Sequence, residues 1–181
     1  KSASIVLLSP KIKKLSPLQA RKVVTILVID GGGMKGIIPI EVLATLEKRT
    51  GKPISQLFDI MVGTSTGALI TAALSMPNST GQPRYTAQAV QNFYKTFGSE
   101  IFKTSLWYRI KTLGGLIGPK FSNLKLDQML NQLIKPTTKL SQLDNHVRIP
   151  CALLLHNSPY WFNNDLAKQN PQRDFYLKDV L

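Results

Sequence analysis

Residues 58–74 read FDIMVGTSTGALITAAL, which is an apolar run, a turn of small residues and a second apolar run. The first run, Phe58–Val62, predicts a buried strand, and the second, Ala68–Leu74, predicts a central helix because it is apolar on all sides. Between them, Gly63–Gly67 has the pattern G-x-S-x-G, which presents a serine on a sharp turn between strand and helix. We therefore expect Ser65 to be an exposed nucleophile; the alternative is a turn that only joins two elements.

The residues around this serine fit the first interpretation. A strained turn leaves little room for large neighbours, so small residues are expected on both sides of the exposed side chain. The five residues are called the nucleophile elbow below: Gly63, Thr64, Ser65, Thr66 and Gly67.

A second glycine motif precedes the elbow in the chain. Val23–Ile29 is almost wholly apolar or β-branched, without alternation, and predicts a strand that is covered on both faces. Gly31–Gly36 (GGGMKG) follows, and a helix is predicted from Ile37 to Thr50, with a proline in its first turn, where a missing N–H costs little. Gly51 is the expected stop of this helix.

The glycine motif has two interpretations. Gly31-x-Gly33-x-x-Gly36 matches the dinucleotide-binding fingerprint, but the next strand lacks the acidic residue at its end that would hold a ribose. Alternatively, the loop supplies rigid backbone N–H donors to the oxyanion that forms when Ser65 attacks an ester. A helix N-terminus strengthens such donors, and neighbouring parallel strands would bring both loops to one edge of the sheet. The second interpretation is favoured.

The remaining chain continues the alternation of strands and helices. Helices are predicted over Thr86–Phe97, with Ala89, Val90, Phe93 and Tyr94 on one face, and over Leu124–Ile134. A third strand is predicted over Val147–Leu155, whereas Asn157–Asn170 reads as an aromatic loop. The alternation predicts an α/β layered fold with a mainly parallel sheet. Residues 1–22 are expected to form a basic N-terminal arm, followed by one domain over residues 23–181.

Two ordered motifs together resemble those of a known family. Asp30–Pro39 (DGGGMKGIIP), Leu57–Asp59 (LFD) and Gly63–Gly67 (GTSTG) are similar to the motifs of patatin-like phospholipases. This family includes plant patatins, the calcium-independent phospholipases A2 and bacterial relatives, and we expect a bacterial member. The resemblance is dense from about residue 24 to residue 75 and weaker through the strand at 147–155.

The resemblance implies a three-layer α/β/α fold and hydrolysis of lipid acyl esters, in the manner of a phospholipase A or lysophospholipase, by a Ser–Asp dyad. It assigns the nucleophile to Ser65. We expect no cofactor. The resemblance assigns the oxyanion hole to the glycine loop, which comprises Gly31, Gly32, Gly33, Met34, Lys35 and Gly36.

The sequence departs from the family pattern at the catalytic base. The family uses an aspartate in an Asp-Gly-Gly or Asp-Gly-Ala motif far downstream, but the only Asp-Gly here is Asp30-Gly31, within the glycine loop. We therefore expect a partial chain whose dyad aspartate lies beyond Leu181. A serine without its base is a poor nucleophile, so the 181 residues alone are expected to be inactive.

Charge indicates the class of partner. The formal net charge of +13 favours anionic partners, and no nucleic-acid motif accompanies it. We expect an acyl-lipid substrate, a peripheral anionic membrane surface, a protein activator and no nucleic acid. The segment 102–111, which mixes aromatic and basic residues, is expected either at the membrane interface or in the core. The expected location is cytoplasmic or at a membrane periphery, or outside the cell as a secreted bacterial effector.

A non-catalytic interpretation stays open beside the enzyme. A relative of this family that binds lipid or protein, or that a partner activates, would carry the same motifs. Histidine is the usual alternative base, but we expect His146 and His156 to be structural or solvent-facing. Cys151 is expected to be a buried strand thiol, and no spacing of ligands predicts a metal site.

Overall fold

The computed structural model describes residues 23–102, 127, 130–153 and 158–181. Within these residues the chain forms a four-stranded sheet in the order β1-β2-β3-β4. The first three strands are parallel, and the fourth is antiparallel to β3. Their bounds are β1 Ile26–Ile29, β2 Ile60–Gly63, β3 His146–Leu153 and β4 Ser158–Asn163.

Helices accompany the sheet. Residues 127 and 130–133 are helical, as predicted within Leu124–Ile134, and the other residues of that prediction up to 129 lie outside the described part. Six further helices have defined bounds among the described residues. Their bounds are α1 Ile37–Thr50, α2 Ile54–Leu57, α3 Thr66–Leu74, α4 Ala87–Phe102, α5 Asn164–Gln169 and α6 Leu177–Val180. A 3₁₀ turn, Gly33–Gly36, joins the first strand to α1, and two further 3₁₀ turns lie at Leu140–Gln142 and Pro171–Arg173. This mostly parallel sheet with flanking helices confirms the three-layer α/β/α class predicted from the sequence.

Helix α3 is the centre of the core. All nine of its residues are buried, as the all-apolar run predicted, and it contacts β1, β2 and β3 as well as α4. A helix surrounded by protein on every side cannot carry charged residues without a large desolvation cost. Helix α3 begins at Thr66, directly after Ser65 and close to the carboxyl end of β2.

Helix α1 matches its predicted bounds at both ends. Gly51 follows its last residue, and the Gly51 N–H donates to the Glu47 carbonyl. Ile40 and Leu43 are buried in the hydrophobic core. The Glu47 carboxylate reaches beyond the helix and accepts hydrogen bonds from the N–H groups of Ile54 and Ala87, which ties α1 to the starts of α2 and α4.

Strand bounds differ from the sequence prediction by a few residues. The first strand begins at Ile26, because Val23 and Val24 are exposed and Thr25 turns to bond Asp59 instead. The second strand includes Gly63. Burial alternates along both strands, with Leu27, Ile29 and Met61 fully buried, so one face of the sheet is more completely covered than the other.

The prediction of a loop over residues 157–170 was wrong. Residues Ser158–Asn163 form β4, paired antiparallel with β3, and Asn164–Gln169 form α5. The Asn163 side chain caps this helix by accepting from the N–H groups of Asp165 and Leu166. Aromatic residues supply the strand, since Tyr160 and Phe162 pack edge to face with ring centres 5.1 Å apart.

Other expectations have mixed outcomes. Cys151 lies in β3 as predicted but is only half buried. Helix α4 extends five residues beyond its predicted end, with Val90 and Tyr94 buried and Ala89 exposed. The basic arm 1–22, His156 and nearly all of the segment 102–111 lie outside the described residues. Across the described part, no helix is long and apolar enough to span a bilayer.

Candidate active site

Ser65 has a backbone conformation that side chains rarely adopt. Its φ and ψ are 52° and −121°, and it is the one non-glycine residue with positive φ in the described part of the chain. Such a conformation costs on the order of 1–3 kcal/mol and persists only where the surrounding structure enforces it. Ser65 is exposed and lies directly before the first residue of α3. This position and the strained backbone are those expected for a nucleophile on a strand-to-helix turn.

Backbone hydrogen bonds hold the elbow in this shape. The Thr64 N–H donates to the Ile29 carbonyl at 3.2 Å, which extends the pairing of β1 with β2 into the turn. The Gly67 N–H donates to the Thr64 carbonyl at 2.9 Å, and the Ala68 N–H donates to the Ser65 carbonyl at 2.8 Å. The turn is thus anchored on the sheet at one end and on the helix at the other.

The two glycines of the elbow are required by close backbone contacts. A Cβ on Gly67 would lie 2.0 Å from the Ile29 carbonyl oxygen. A Cβ on Gly63 would lie 2.2 Å from the Gly67 carbonyl oxygen. Since these atoms belong to the backbone of a strand and a helix, they cannot move aside cheaply. The elbow therefore closes only because both positions lack a side chain.

The glycine loop lies against the elbow. A Cβ on Gly31 would lie 3.0 Å from the Ser65 Cβ and 3.1 Å from the Thr64 carbonyl oxygen. Both loops follow the carboxyl ends of adjacent parallel strands, which pair Ile29 with Gly63. The structure therefore brings together the two motifs that the sequence placed 30 residues apart, at the edge where ligands bind in such sheets.

Two backbone N–H groups of the glycine loop have no partner within the described part of the chain. The Lys35 N–H donates to the Gly32 carbonyl at 3.1 Å, and the loop then runs through its 3₁₀ turn into α1. The amides of Gly32 and Met34 make no hydrogen bond to any described residue. Unpaired N–H groups at a helix N-terminus attract negative charge, so this loop can bind an anion next to Ser65.

A buried polar contact joins the elbow, the glycine loop and helix α4. The Thr66 hydroxyl lies 2.7 Å from the Tyr94 hydroxyl and donates to the Gly33 carbonyl at 3.1 Å. Burial raises the pKa of Tyr94 to about 12, and the hydrogen bond with Thr66 offsets only part of that rise. Tyr94 therefore stays a neutral hydroxyl at physiological pH.

Sequence reasoning did not find Tyr94 as a site residue, because it placed this side chain only on the apolar face of α4. The one available signal was a hydroxyl at the tip of a side chain predicted to be buried, which needs a polar partner. The N–H of Thr66 is a further candidate donor that sequence reasoning did not name. As the first amide of α3 it makes no hydrogen bond to a described residue, and the residue after an elbow serine is a usual oxyanion donor.

Among the residues that the structure describes, none forms a hydrogen bond with the Ser65 hydroxyl. His146 begins β3 and pairs with Ile60, at the opposite edge of the sheet from the elbow. Its Nδ1 lies 2.8 Å from the Asp165 carboxylate, which also binds Arg148. Asp174 accepts hydrogen bonds from the N–H and hydroxyl of Ser141. These carboxylates have structural partners.

Burial alone would raise the pKa of Asp165. Hydrogen bonds from His146 and Arg148, together with their nearby charges, outweigh burial and hold this pKa below its usual value. Asp165 is therefore an ionised anchor that joins β3 to α5. No group of three or more His, Cys, Asp or Glu side chains within the described residues could hold a metal ion.

The chain is similar in sequence to known proteins over most of its length. The family model of the patatin-like phospholipases matches residues 27–181. The chain is 36% identical to patatin-like protein 2 of Arabidopsis thaliana over 183 residues, covering 95% of this chain and 44% of that protein. It is 34% identical to patatin-like protein 2 of Oryza sativa subsp. indica over 181 residues, with the same coverage.

A potato protein gives a similar match. Patatin-T5 of Solanum tuberosum is 33% identical over 166 residues, which cover 88% of this chain and 41% of that protein. The chain thus spans less than half the length of these curated relatives. The family model nevertheless extends from the second residue of β1 to the end of the chain, across both motifs of the site. The chain is a member of the patatin-like phospholipase family.

Proposed function

We propose that this chain carries the nucleophile and the oxyanion hole of a lipid acyl hydrolase of the phospholipase A or lysophospholipase type. The observation that carries the proposal is the strained backbone of Ser65, with Gly31 packed against its Cβ. Strain of this kind concentrates at functional sites, since a turn that only joins two elements has no need of it. Membership in the patatin-like phospholipase family supports a lipid ester as the substrate.

The reaction begins with attack by the Ser65 hydroxyl oxygen on the ester carbonyl carbon. The hydroxyl proton goes to an aspartate, and the carbonyl oxygen becomes an oxyanion held by N–H groups of the glycine loop. The bond between the former carbonyl carbon and the oxygen of the leaving alcohol then breaks, and this alcohol oxygen takes the proton from the aspartate. Water then gives a proton to the same aspartate as it attacks the acyl carbon. The bond from this carbon to the Ser65 oxygen breaks, the Ser65 oxygen takes the proton, and the fatty acid is released.

We assign the base to an aspartate C-terminal to Leu181. The Asp-Gly motif of the family does not recur after residue 31 in the sequence. Asp165 and Asp174 are engaged in structural hydrogen bonds. The full-length protein is therefore the form in which activity should be measured.

The proposal is tested by fatty acid release from phospholipid vesicles with the full-length protein. Ser65→Ala should lower the rate by about 10³-fold or more, because no other group replaces the nucleophile. Ser79→Ala is the matched control, since Ser79 is an exposed serine in the loop after α3, and it should leave the rate unchanged. Hydrolysis at the normal rate in Ser65→Ala would contradict the proposal.

The same assay tests the proposed membrane partner. Because these 181 residues carry a net charge of +13, the full-length protein should act faster on vesicles that contain phosphatidylglycerol than on pure phosphatidylcholine. Raising the salt concentration should remove the difference, because exposed charges are screened. A protein that binds the anionic vesicles but releases no fatty acid would instead support the non-catalytic, lipid-binding alternative.

A further inference from the structure

Two buried hydroxyl groups connect helix α4 to the glycine loop through the elbow. Tyr94 is 4% exposed and Thr66 is 1% exposed. The Tyr94 hydroxyl lies 2.7 Å from the Thr66 Oγ1, which lies 3.1 Å from the Gly33 carbonyl oxygen. Tyr94 and Thr66 are called the hydroxyl pair below.

The chemistry of the hydroxyl pair fixes the direction of its hydrogen bonds. Each hydroxyl has one proton, and a carbonyl oxygen can only accept. If Thr66 gives its proton to the Gly33 carbonyl, the short contact to Tyr94 requires Tyr94 to donate to Thr66. The alternative acceptor for Tyr94, the Thr66 carbonyl oxygen, lies farther away at 3.4 Å. The protons therefore run from Tyr94 to Thr66 to Gly33.

The end of this chain is a peptide unit of the glycine loop. In a trans peptide the N–H points opposite to the C=O, and the described chain has no cis peptide bond. Because the Gly33 carbonyl points at the buried Thr66, the N–H of Met34 points away from the buried pair. Met34 is exposed, and its amide has no partner among the described residues.

The glycine loop packs closely against the side chains of the hydroxyl pair. A Cβ on Gly36 would lie 2.5 Å from the Thr66 Cγ2 and 3.3 Å from the Tyr94 ring. The last glycine of the GGGMKG motif is thus needed for the loop to approach the two side chains. This contact is independent of the hydrogen bonds and places the same residues together.

We propose that Tyr94 and Thr66 are positioning residues that orient and polarise the Gly33–Met34 peptide, so that the Met34 N–H donates to the oxyanion of the reaction. This inference rests on the proposed function. Hydrogen bonds in series strengthen one another, so a donor to the Gly33 carbonyl makes the attached N–H a better donor. The benefit is greatest in the transition state, where the oxyanion carries its charge.

The test is steady-state hydrolysis of a soluble short-chain ester by the full-length protein. Thr66→Val removes the hydroxyl and should lower kcat about 10-fold with KM changed less than about twofold, since loss of a whole oxyanion donor costs about 10²–10³-fold. Thr66→Ser keeps the hydroxyl and should restore kcat to within about threefold of the wild-type value. Tyr94→Phe should lower kcat by no more than Thr66→Val does.

The double variant Thr66→Val/Tyr94→Phe distinguishes a series from two separate effects. If Tyr94 acts through Thr66, the double variant should be no slower than Thr66→Val. Matched controls are Thr71→Val, a buried threonine of α3 bonded to the Ala68 carbonyl, and Tyr85→Phe, whose hydroxyl donates to the Leu133 carbonyl. Both should lower thermal stability while kcat stays unchanged.

The outcomes separate this inference from the proposed function. Absence of Ser65-dependent hydrolysis in the wild-type protein overturns both. Ser65-dependent hydrolysis with an unchanged kcat in Thr66→Val overturns the role of the hydroxyl pair alone. A fall in kcat in Thr66→Val that Thr66→Ser does not restore also overturns it. So does a double variant in which the separate effects of Thr66→Val and Tyr94→Phe on kcat combine in full.

Discussion

At the scale of single residues, the site depends on how closely backbone atoms approach one another. The pattern of small residues predicted the exposed Ser65, because a serine on a sharp strand-to-helix turn requires glycine nearby. The reason that glycine is needed could not be predicted. Gly67 lies against the carbonyl of Ile29, which is 38 residues earlier in the chain and belongs to another strand.

Gly67→Ala should therefore be severely destabilising. Its Cβ would lie 2.0 Å from the Ile29 oxygen and 2.8 Å from the Ile29 carbonyl carbon, so a strand or the central helix must shift. We expect a loss of about 3 kcal/mol or more, at the upper end of overpacking effects, measured by urea denaturation of the full-length protein.

Gly81→Ala is the control for this substitution. Gly81 has a φ of 75° and open space around its Cβ position, so alanine there meets only backbone strain. The expected loss is about 1–2 kcal/mol. Equal losses at the two positions would show that backbone contact with Ile29 does not constrain the elbow.

Tyr94 was not recognised as a site residue because its polar contact joins residues that are distant in the sequence. Its spacing on α4 predicts an apolar face, and that prediction is correct for the ring. The partner of its hydroxyl, Thr66, is 28 residues away in sequence and meets it only once α4 packs beside α3. Local patterns predict which side chains are buried, but they do not predict which polar atoms meet inside.

At the scale of elements, the sequence predicted those whose signal is local and apolar. Helices α1 and α3 and the three parallel strands follow from apolar runs. The bounds of α1 match the prediction, and those of α3 and the strands are shifted by a few residues. Strand β4 was missed because Pro159 and the asparagines around it resemble a loop, although Tyr160, Trp161 and Phe162 favour a strand. Pairing with β3 overrides the proline, which is tolerated on an edge strand.

The junction of β3 with α5 gives a test at this scale. Asp165 binds Arg148 at 2.6 Å and His146 at 2.8 Å, so Asp165→Asn should destabilise the full-length protein by about 1–2 kcal/mol at neutral pH. The folded pKa of Asp165 is lowered, so its contribution is present above the unfolded pKa of about 3.9. It is lost as pH falls through the folded pKa.

The measurement is urea denaturation of both proteins at pH 7 and at progressively lower pH. The stability difference between wild type and Asp165→Asn should shrink as the pH falls below about 4. Asp179→Asn, at an exposed position in α6, should stay within about 0.5 kcal/mol of wild type throughout. A difference for Asp165→Asn that does not change with pH would refute the ionised anchor.

At the scale of the whole molecule, the fold creates the site by bringing two loops to one edge of the sheet. The parallel pairing of β1 with β2 places the glycine loop beside the elbow. Helix α3 begins within the elbow and packs on both strands, which holds the elbow in place. The order of strands and helices predicted this meeting, because parallel strands present their carboxyl ends together. The position of the catalytic base could not be predicted, because no Asp-Gly follows the elbow in these 181 residues.

The central claim is that Ser65 is the activated nucleophile of the full-length protein, and covalent labelling tests it most directly. A fluorophosphonate probe reacts with activated serines, and peptide mass spectrometry identifies the modified residue. The account predicts one adduct, on Ser65, which is absent in Ser65→Ala and retained in Ser79→Ala. An adduct on a different residue, or labelling of Ser65→Ala at the wild-type level, would contradict it.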